Sequence, residues 1–183
     1  MANFKDSPHF QTYDDYYTPT TTWDLIEPLI RNKGYKTILE PFILNARLSP
    51  SIEYWSEKGY EILGDTCFDF LTDNIIDDFD CIVSNPPFDK TLKIPMLKKL
   101  VSLDKPFILV MNSTNIFSKY FFEIFGDKQE HLEIIHPNKK LHYEKLLKDN
   151  NGVEYTELKK NCSFYSCFVA YKMKGSKIVL YPL

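Results

Sequence analysis

The sequence contains no apolar run approaching the eighteen or so residues that a membrane helix needs, so a membrane-spanning protein is not expected. Its first residues, Met1-Ala2-Asn3-Phe4-Lys5-Asp6, lack the basic and then apolar segments of an export signal. Secretion is therefore not expected, and the expected compartment is the cytoplasm, or a host's cytoplasm for a virus. Cysteine is scarce and unpaired: Cys67, Cys81, Cys162 and Cys167 form no Cys-x-x-Cys, and their mostly apolar neighbours mark them as reduced core thiols. His131, His136 and His142 stand five and six residues apart, not the three or four that would share a helix face, so no metal is expected. No internal repeat, low-complexity stretch or linker composition interrupts the 183 residues, and the chain reads as one domain over 1–183.

Charge is divided unevenly along the chain. Residues 1–89 hold 6 Lys+Arg against 16 Asp+Glu, and residues 90–183 hold 16 against 9, so halves of −10 and +7 make up the net −3. The asymmetry has two readings: opposite charges that mix on the folded surface, or a basic face for nucleic acid built by the C-terminal half.

Strand-like and helix-like segments alternate. Trp23, Leu25, Ile26, Leu29 and Ile30 fall at helical spacing over 20–33, with Gly34 placed to end the helix and Pro28 set awkwardly inside it. Thr37-Ile38-Leu39 reads as a strand. Ser49-Pro50 then opens a helix that runs to Gly59, as a cap followed by proline at the first helical position. Residues 60–63, 79–83 and 106–111 read as further strands, with helices at about 91–101 and 114–125. Alternation of this kind predicts a mainly parallel sheet, and Phe164–Met173 and Ser176–Tyr181 around Lys174-Gly175 predict an antiparallel C-terminal hairpin. The expected architecture is an α/β, Rossmann-like, doubly wound domain.

Such sheets bind ligands beyond the carboxyl ends of their strands. The residues there are Glu40-Pro41-Phe42, Gly64-Asp65 and Ser84-Asn85-Pro86-Pro87-Phe88. Two prolines lock the backbone after Asn85, so its side-chain oxygen and the Pro86 carbonyl can be aimed together. An exocyclic amine is a poor nucleophile while its lone pair is delocalised into a ring. Accepting hydrogen bonds from both of its protons favours the pyramidal, nucleophilic form, and Phe88 can stack on the ring face. Read in isolation, the same residues would make a turn and a core phenylalanine. Their position after an apolar strand favours the chemical reading.

On these residues the sequence resembles the N6-adenine DNA methyltransferases, small phage- or virus-type members of the S-adenosylmethionine-dependent amino-methyltransferases. Tyr17-Thr18-Pro19 resembles the segment beside the cofactor's methionine end, and Glu40-Pro41-Phe42 resembles the start of the cofactor motif. By the same resemblance Asp65 holds the ribose hydroxyls, Asp69-Phe70 faces the cofactor's adenine, and Asn85-Pro86-Pro87-Phe88 is the catalytic tetrad. Phe164-Tyr165-Ser166-Cys167-Phe168 is similar to a C-terminal strand of the family. The resemblance implies a class I methyltransferase fold, S-adenosylmethionine as cofactor and adenine in DNA, flipped from its helix, as substrate.

One departure stands out. Where the family has a glycine-rich bend, this chain has Ile43-Leu44-Asn45-Ala46-Arg47, whose side chains narrow the approach of a ligand to the backbone. Two readings follow: a working enzyme, or a catalytically degenerate relative that binds nucleic acid or a partner chain. Within the first, an RNA adenine or a protein glutamine also offers a planar amine. Residues 126–160 are the candidate substrate-contacting insertion, with Lys139, Lys140 and Lys145, and further lysines at 148, 159 and 160, available for phosphates. A solvated helix-and-loop face is the other reading of that stretch, and a partner protein is a further source of sequence specificity.

Overall fold

The computed structural model describes residues 16–43, 50–64, 69–75, 78–159, 164–173 and 178–181. In chain order the elements are β1 (Tyr16–Tyr17), α1 (Thr20–Trp23), α2 (Glu27–Asn32), β2 (Thr37–Leu39), α3 (Pro50–Glu57) and β3 (Glu61–Leu63). Then follow β4 (Cys81–Ser84), α4 (Lys90–Ser102), β5 (Phe107–Asn112), α5 (Lys119–Phe125), β6 (Leu132–Pro137), β7 (Tyr143–Lys148), β8 (Glu154–Lys159), β9 (Ser166–Tyr171) and β10 (Ile178–Tyr181).

Seven strands form the main sheet in the order β10-β6-β9-β5-β4-β2-β3. Every neighbouring pair is parallel except the two that involve β9. Side chains alternate across it with the period of two that a strand imposes. Ile38, Val83, Ile108, Val110, Phe168 and Ala170 face a core shared with Trp23, Ile26, Ile30 and Trp55 from α1 to α3. Leu39, Ile82, Phe107, Leu109, Met111 and Val169 face the other, closed by Met96, Leu97 and Leu100 of α4 and by Phe121 and Phe125 of α5. Helices thus cover both faces, as a parallel sheet requires. Cys81 and Cys167 are buried free thiols, and burial pushes both thiol pKa values up, Cys167 to about 11. Cys67, Cys162, the Ser49 cap and the Lys174-Gly175 turn lie outside the described residues.

Two expectations need correction. The helix over 20–33 is broken into α1 and α2 by a turn at 24–26, because Pro28 is accommodated in the first turn of a helix, where a missing N–H costs nothing, and not in its middle. The C-terminal strands do not form a hairpin with each other. All six residues of β9 pair with β5 on one side, and Leu132–Ile135 of β6 pair with it on the other, so β9 has no free edge; β10 lies parallel to β6 instead.

The stretch 126–160, expected as an insertion or a solvated helix and loop, supplies in its described part β6 to the main sheet and then a hairpin, β7 and β8. The hairpin joins β1 in a small antiparallel sheet of order β1-β7-β8, with Tyr16 opposite Lys145 and Tyr17 opposite Glu144. No helix among the described residues is long and apolar enough to cross a membrane.

Candidate functional site

The chain winds outward from β2 to β3, then crosses back to β4 on the other side, so the order of strands reverses between β2 and β4. A doubly wound sheet opens a crevice at such a reversal. Glu40 follows β2 there, Gly64 follows β3, and Asn85 follows β4.

The strand ends are tied to one another. The Glu40 amide donates to the Leu63 carbonyl at 2.8 Å, and the Ser84 hydroxyl donates to the Glu40 carboxyl. Glu40 is 4% exposed, and burial pushes its pKa up to about 8 against the opposing hydrogen bonds from Ser84, the Phe42 amide and Ser51 of α3. It therefore holds a proton at neutral pH. Gly64 has φ of +139°, and a Cβ there would lie 2.2 Å from the Glu40 carbonyl oxygen. Only glycine fits this contact between the ends of β2 and β3.

The Asn85 loop meets the N-terminal segment. Asn85 Nδ2 donates to the Tyr16 carbonyl at 3.2 Å. Because only the NH2 end of the amide can satisfy a carbonyl, Oδ1 is turned the other way. That oxygen is buried and accepts no hydrogen bond among the described residues. The Thr18 hydroxyl, in a residue 4% exposed, is in the same condition. Two orphaned polar atoms thus sit on adjacent chain segments at the sheet's carboxyl edge. Tyr17 and Thr18 are both buried, and Pro19 caps α1 in extended conformation. Pro86 and Pro87 of the loop are buried.

Phe88 is half-buried in an aromatic cluster, 5.6 Å from Phe164 and 6.4 Å, edge-on, from Tyr143. Tyr143 in turn packs on Phe164 at 5.5 Å and Tyr16 at 6.3 Å, and its hydroxyl donates to Ser166 Oγ at 2.6 Å. Behind the loop, Asp89 caps α4 by accepting from the Thr91 amide, and Lys93, only 5% exposed, turns back to donate from Nζ to the Phe88 carbonyl at 3.0 Å. Neither Tyr143 nor Lys93 was singled out from sequence. Lys93 had a signal, a cation five residues after Phe88 on the first turn of the next helix; Tyr143 had none, since it reaches the site through the return of β7 to β1.

The remaining expected residues are placed as follows. Phe42 packs edge-on against Phe70 at 5.2 Å, so the Glu40-Pro41-Phe42 and Asp69-Phe70 segments do meet. Phe70 is 2% exposed with Lys99 Nζ 5.4 Å above its ring. Asp69 Oδ1 accepts from the Leu71 amide at 2.9 Å and so closes a local turn. Asp65, and the residues 44–47 that stand in place of the glycine-rich bend, lie outside the described residues. Lys139 is exposed, Lys140 holds its Nζ 5.2 Å over the Tyr165 ring, and Lys145 lies on β7. A groove lined by Pro106, His131, Glu133 and Lys172 opens at the opposite, amino edge of the sheet and takes no part in this constellation.

No family model and no curated protein matches the sequence. Solved structures do match. A candidate RNA methyltransferase from Pyrococcus horikoshii aligns at a TM-score of 0.52 and 13% identity, over 94% of this chain and 99% of that one. A candidate class I S-adenosylmethionine-dependent methyltransferase from Listeria monocytogenes aligns at 0.57 and 11%, over 96% of this chain and 68% of that one. With the strand order above, these likenesses show that the chain has the Rossmann-like fold of class I methyltransferases.

Proposed function

We propose that the protein is an S-adenosylmethionine-dependent methyltransferase acting on the exocyclic N6 amine of adenine in DNA. The observation that carries the reading is the buried Oδ1 of Asn85, which has no hydrogen-bond partner among the described residues, beside the Tyr16–Thr18 segment. A lone acceptor of this kind costs about 1–3 kcal/mol unless a partner is supplied. An amine proton is such a partner.

The orphaned Thr18 hydroxyl fits a polar cofactor in the same way. Tyr17, Thr18, Pro19, Glu40, Pro41, Phe42, Asp65, Asp69 and Phe70 are the residues proposed to hold it. When bound, the cofactor supplies an electrophilic methyl group on sulfur. Asn85 Oδ1 and the Pro86 carbonyl accept the two amine protons and return the nitrogen lone pair from the ring to the nucleophile. Once the amine had taken the methyl group, one of the two protons held at Asn85 Oδ1 and the Pro86 carbonyl would pass to solvent. Phe88, backed by Tyr143 and Phe164, stacks on the target adenine once it is out of its stack, and Lys93 holds the Phe88 carbonyl so that loop and ring stay registered.

The second reading, a degenerate relative without catalysis, rests on Ile43-Leu44-Asn45-Ala46-Arg47 where the family carries glycine. Calorimetric titration with S-adenosylmethionine and its demethylated product separates the two: micromolar binding supports the enzyme, and no binding to either supports the degenerate relative. Tritiated methyl transfer to DNA, RNA and protein then identifies the substrate. Asn85→Ala is expected to abolish transfer with folding and cofactor affinity intact; retained transfer refutes its role.

A further inference from the structure

The strands that flank the crevice leave one aromatic ring outside it. Tyr165, next to the site's Phe164, is 61% exposed, whereas the residues that follow it in β9 are all buried. Its position is fixed from below: the Ser113 amide, at the carboxyl end of β5, donates to the Tyr165 carbonyl at 2.8 Å. Its ring carries Lys140 Nζ 5.2 Å from the centroid, and the preceding residue, Lys139, is exposed. Both lysines follow β6, whose carboxyl end lies at the same edge of the sheet because β6 and β5 both run antiparallel to β9. Phe117, 85% exposed, ends the 3-10 turn that starts at Ser113. A largely exposed aromatic ring with a cation held over it recurs in surfaces that hold unpaired nucleic acid: the ring takes a base and the ammonium groups take phosphate.

Resting on the reading of the crevice as a base-methylating site, we propose that Tyr165 and Lys140 form a platform that binds the nucleotide next to the target adenine in a single-stranded DNA segment. The ring can accept only a base that is not already stacked between its neighbours, as bases in a duplex are. Position argues for the neighbouring nucleotide. Consecutive residues, Phe164 and Tyr165, place one ring against Phe88 inside the crevice and the next ring outside it. The charge agrees, since the platform lies in the basic half of the chain.

The test is fluorescence anisotropy with labelled adenine-containing dodecamers as single-stranded DNA, duplex DNA and single-stranded RNA, all in the presence of the demethylated cofactor product. Wild type is expected to bind single-stranded DNA more tightly than duplex. Tyr165→Ala is expected to lose about tenfold in that affinity, Tyr165→Phe to keep it, and cofactor affinity to stay unchanged in both. Lys140→Ala should weaken binding whatever the base sequence and lower the salt dependence by about one phosphate contact. Equal binding by wild type and Tyr165→Ala overturns the platform while leaving the methyltransferase reading standing. Preference of wild type for duplex or for RNA overturns the single-stranded DNA occupant. Failure of wild type to bind any of the three removes the nucleic-acid reading itself, and the platform with it.

Discussion

The Glu40 carboxyl makes a prediction whose size can be worked out. Its ordinary value of 4.5 is pushed to about 8 in the folded chain, with burial as the cause. Below pH 4.5 both folded and unfolded chains hold the proton and the full stability is present. As pH rises from there towards 8, the unfolded chain gives up its proton while the folded chain keeps it, so stability falls; above 8 the loss is complete. At about 1.4 kcal/mol per pH unit the total is about 5 kcal/mol, of which about 4 falls between pH 5 and 8.5. Glu40→Gln keeps the shape and still accepts from Ser84, but carries no titration. Urea unfolding of both proteins at half-unit steps across this range should show the variant gaining about 4 kcal/mol on wild type, because every other titrating group is common to the two. Parallel profiles would refute the reasoning, since they would mean that the folded chain holds an ionised carboxylate at neutral pH. Under the proposed cofactor-binding role, a Glu40 carboxyl that met a cationic group of S-adenosylmethionine would first have to ionise, so titration at pH 7 in buffers of different ionisation enthalpy should report release of about one proton.

Gly64→Ala should destabilise the protein by about 2–4 kcal/mol in thermal or urea unfolding and weaken cofactor binding, because the new Cβ meets the backbone carbonyl of Glu40, at a φ that side chains rarely adopt. Lys93→Met, which keeps the bulk but leaves the Phe88 carbonyl without its donor, should raise the KM for nucleic acid more than it lowers kcat, with partial rescue by Lys93→Arg; an unchanged KM would assign Lys93 to folding alone. Phe88→Ala should weaken capture of the base about tenfold at unchanged cofactor affinity, measured by the same pair of titrations, and an effect confined to the cofactor would contradict the stacking role.

The central strands were legible because burial on both faces leaves them as short apolar runs: Thr37–Leu39 is matched residue for residue, and β4 and β5 to within two residues. Asn85 was legible for the same reason, as its place is fixed by the strand before it. Long-range pairing was not. Tyr16–Tyr17 is too short to read as a strand, and Glu154-Tyr155-Thr156-Glu157-Leu158-Lys159 is half-exposed and mixes charge with apolar side chains, so neither announces the small sheet. Yet that sheet brings Tyr143 to Phe88 and Tyr16 to Asn85. The hairpin misreading has a similar origin: two adjacent strands suggest a local turn, and only the pairing of β6 with β9 shows the edge to be taken.

Elsewhere the chain shows how it treats buried polar groups that serve the fold. Glu27, 6% exposed, accepts from the Tyr60 hydroxyl at 3.0 Å and from Arg31 Nε at 2.8 Å. Asp80 accepts the Lys36 and Thr37 amides, which hold its pKa below the usual carboxylate range. Tyr143 finds Ser166. Against this habit, Asn85 Oδ1 and Thr18 Oγ1 have no hydrogen-bond partner among the described residues, and they lie on neighbouring segments at the edge of the sheet where this fold binds ligands. Among the described residues the indole nitrogens of Trp23 and Trp55 and His142 Nδ1 also have no hydrogen-bond partner; the indoles lie in the aromatic layer between α1 and α3, with ring centroids 5.7 Å apart, where the packing of two large rings outweighs a lost hydrogen bond. No such packing explains an amide oxygen in a half-buried loop. A buried acceptor of this kind costs stability until a donor meets it, and the proposed methyltransferase reading supplies that donor as the substrate amine.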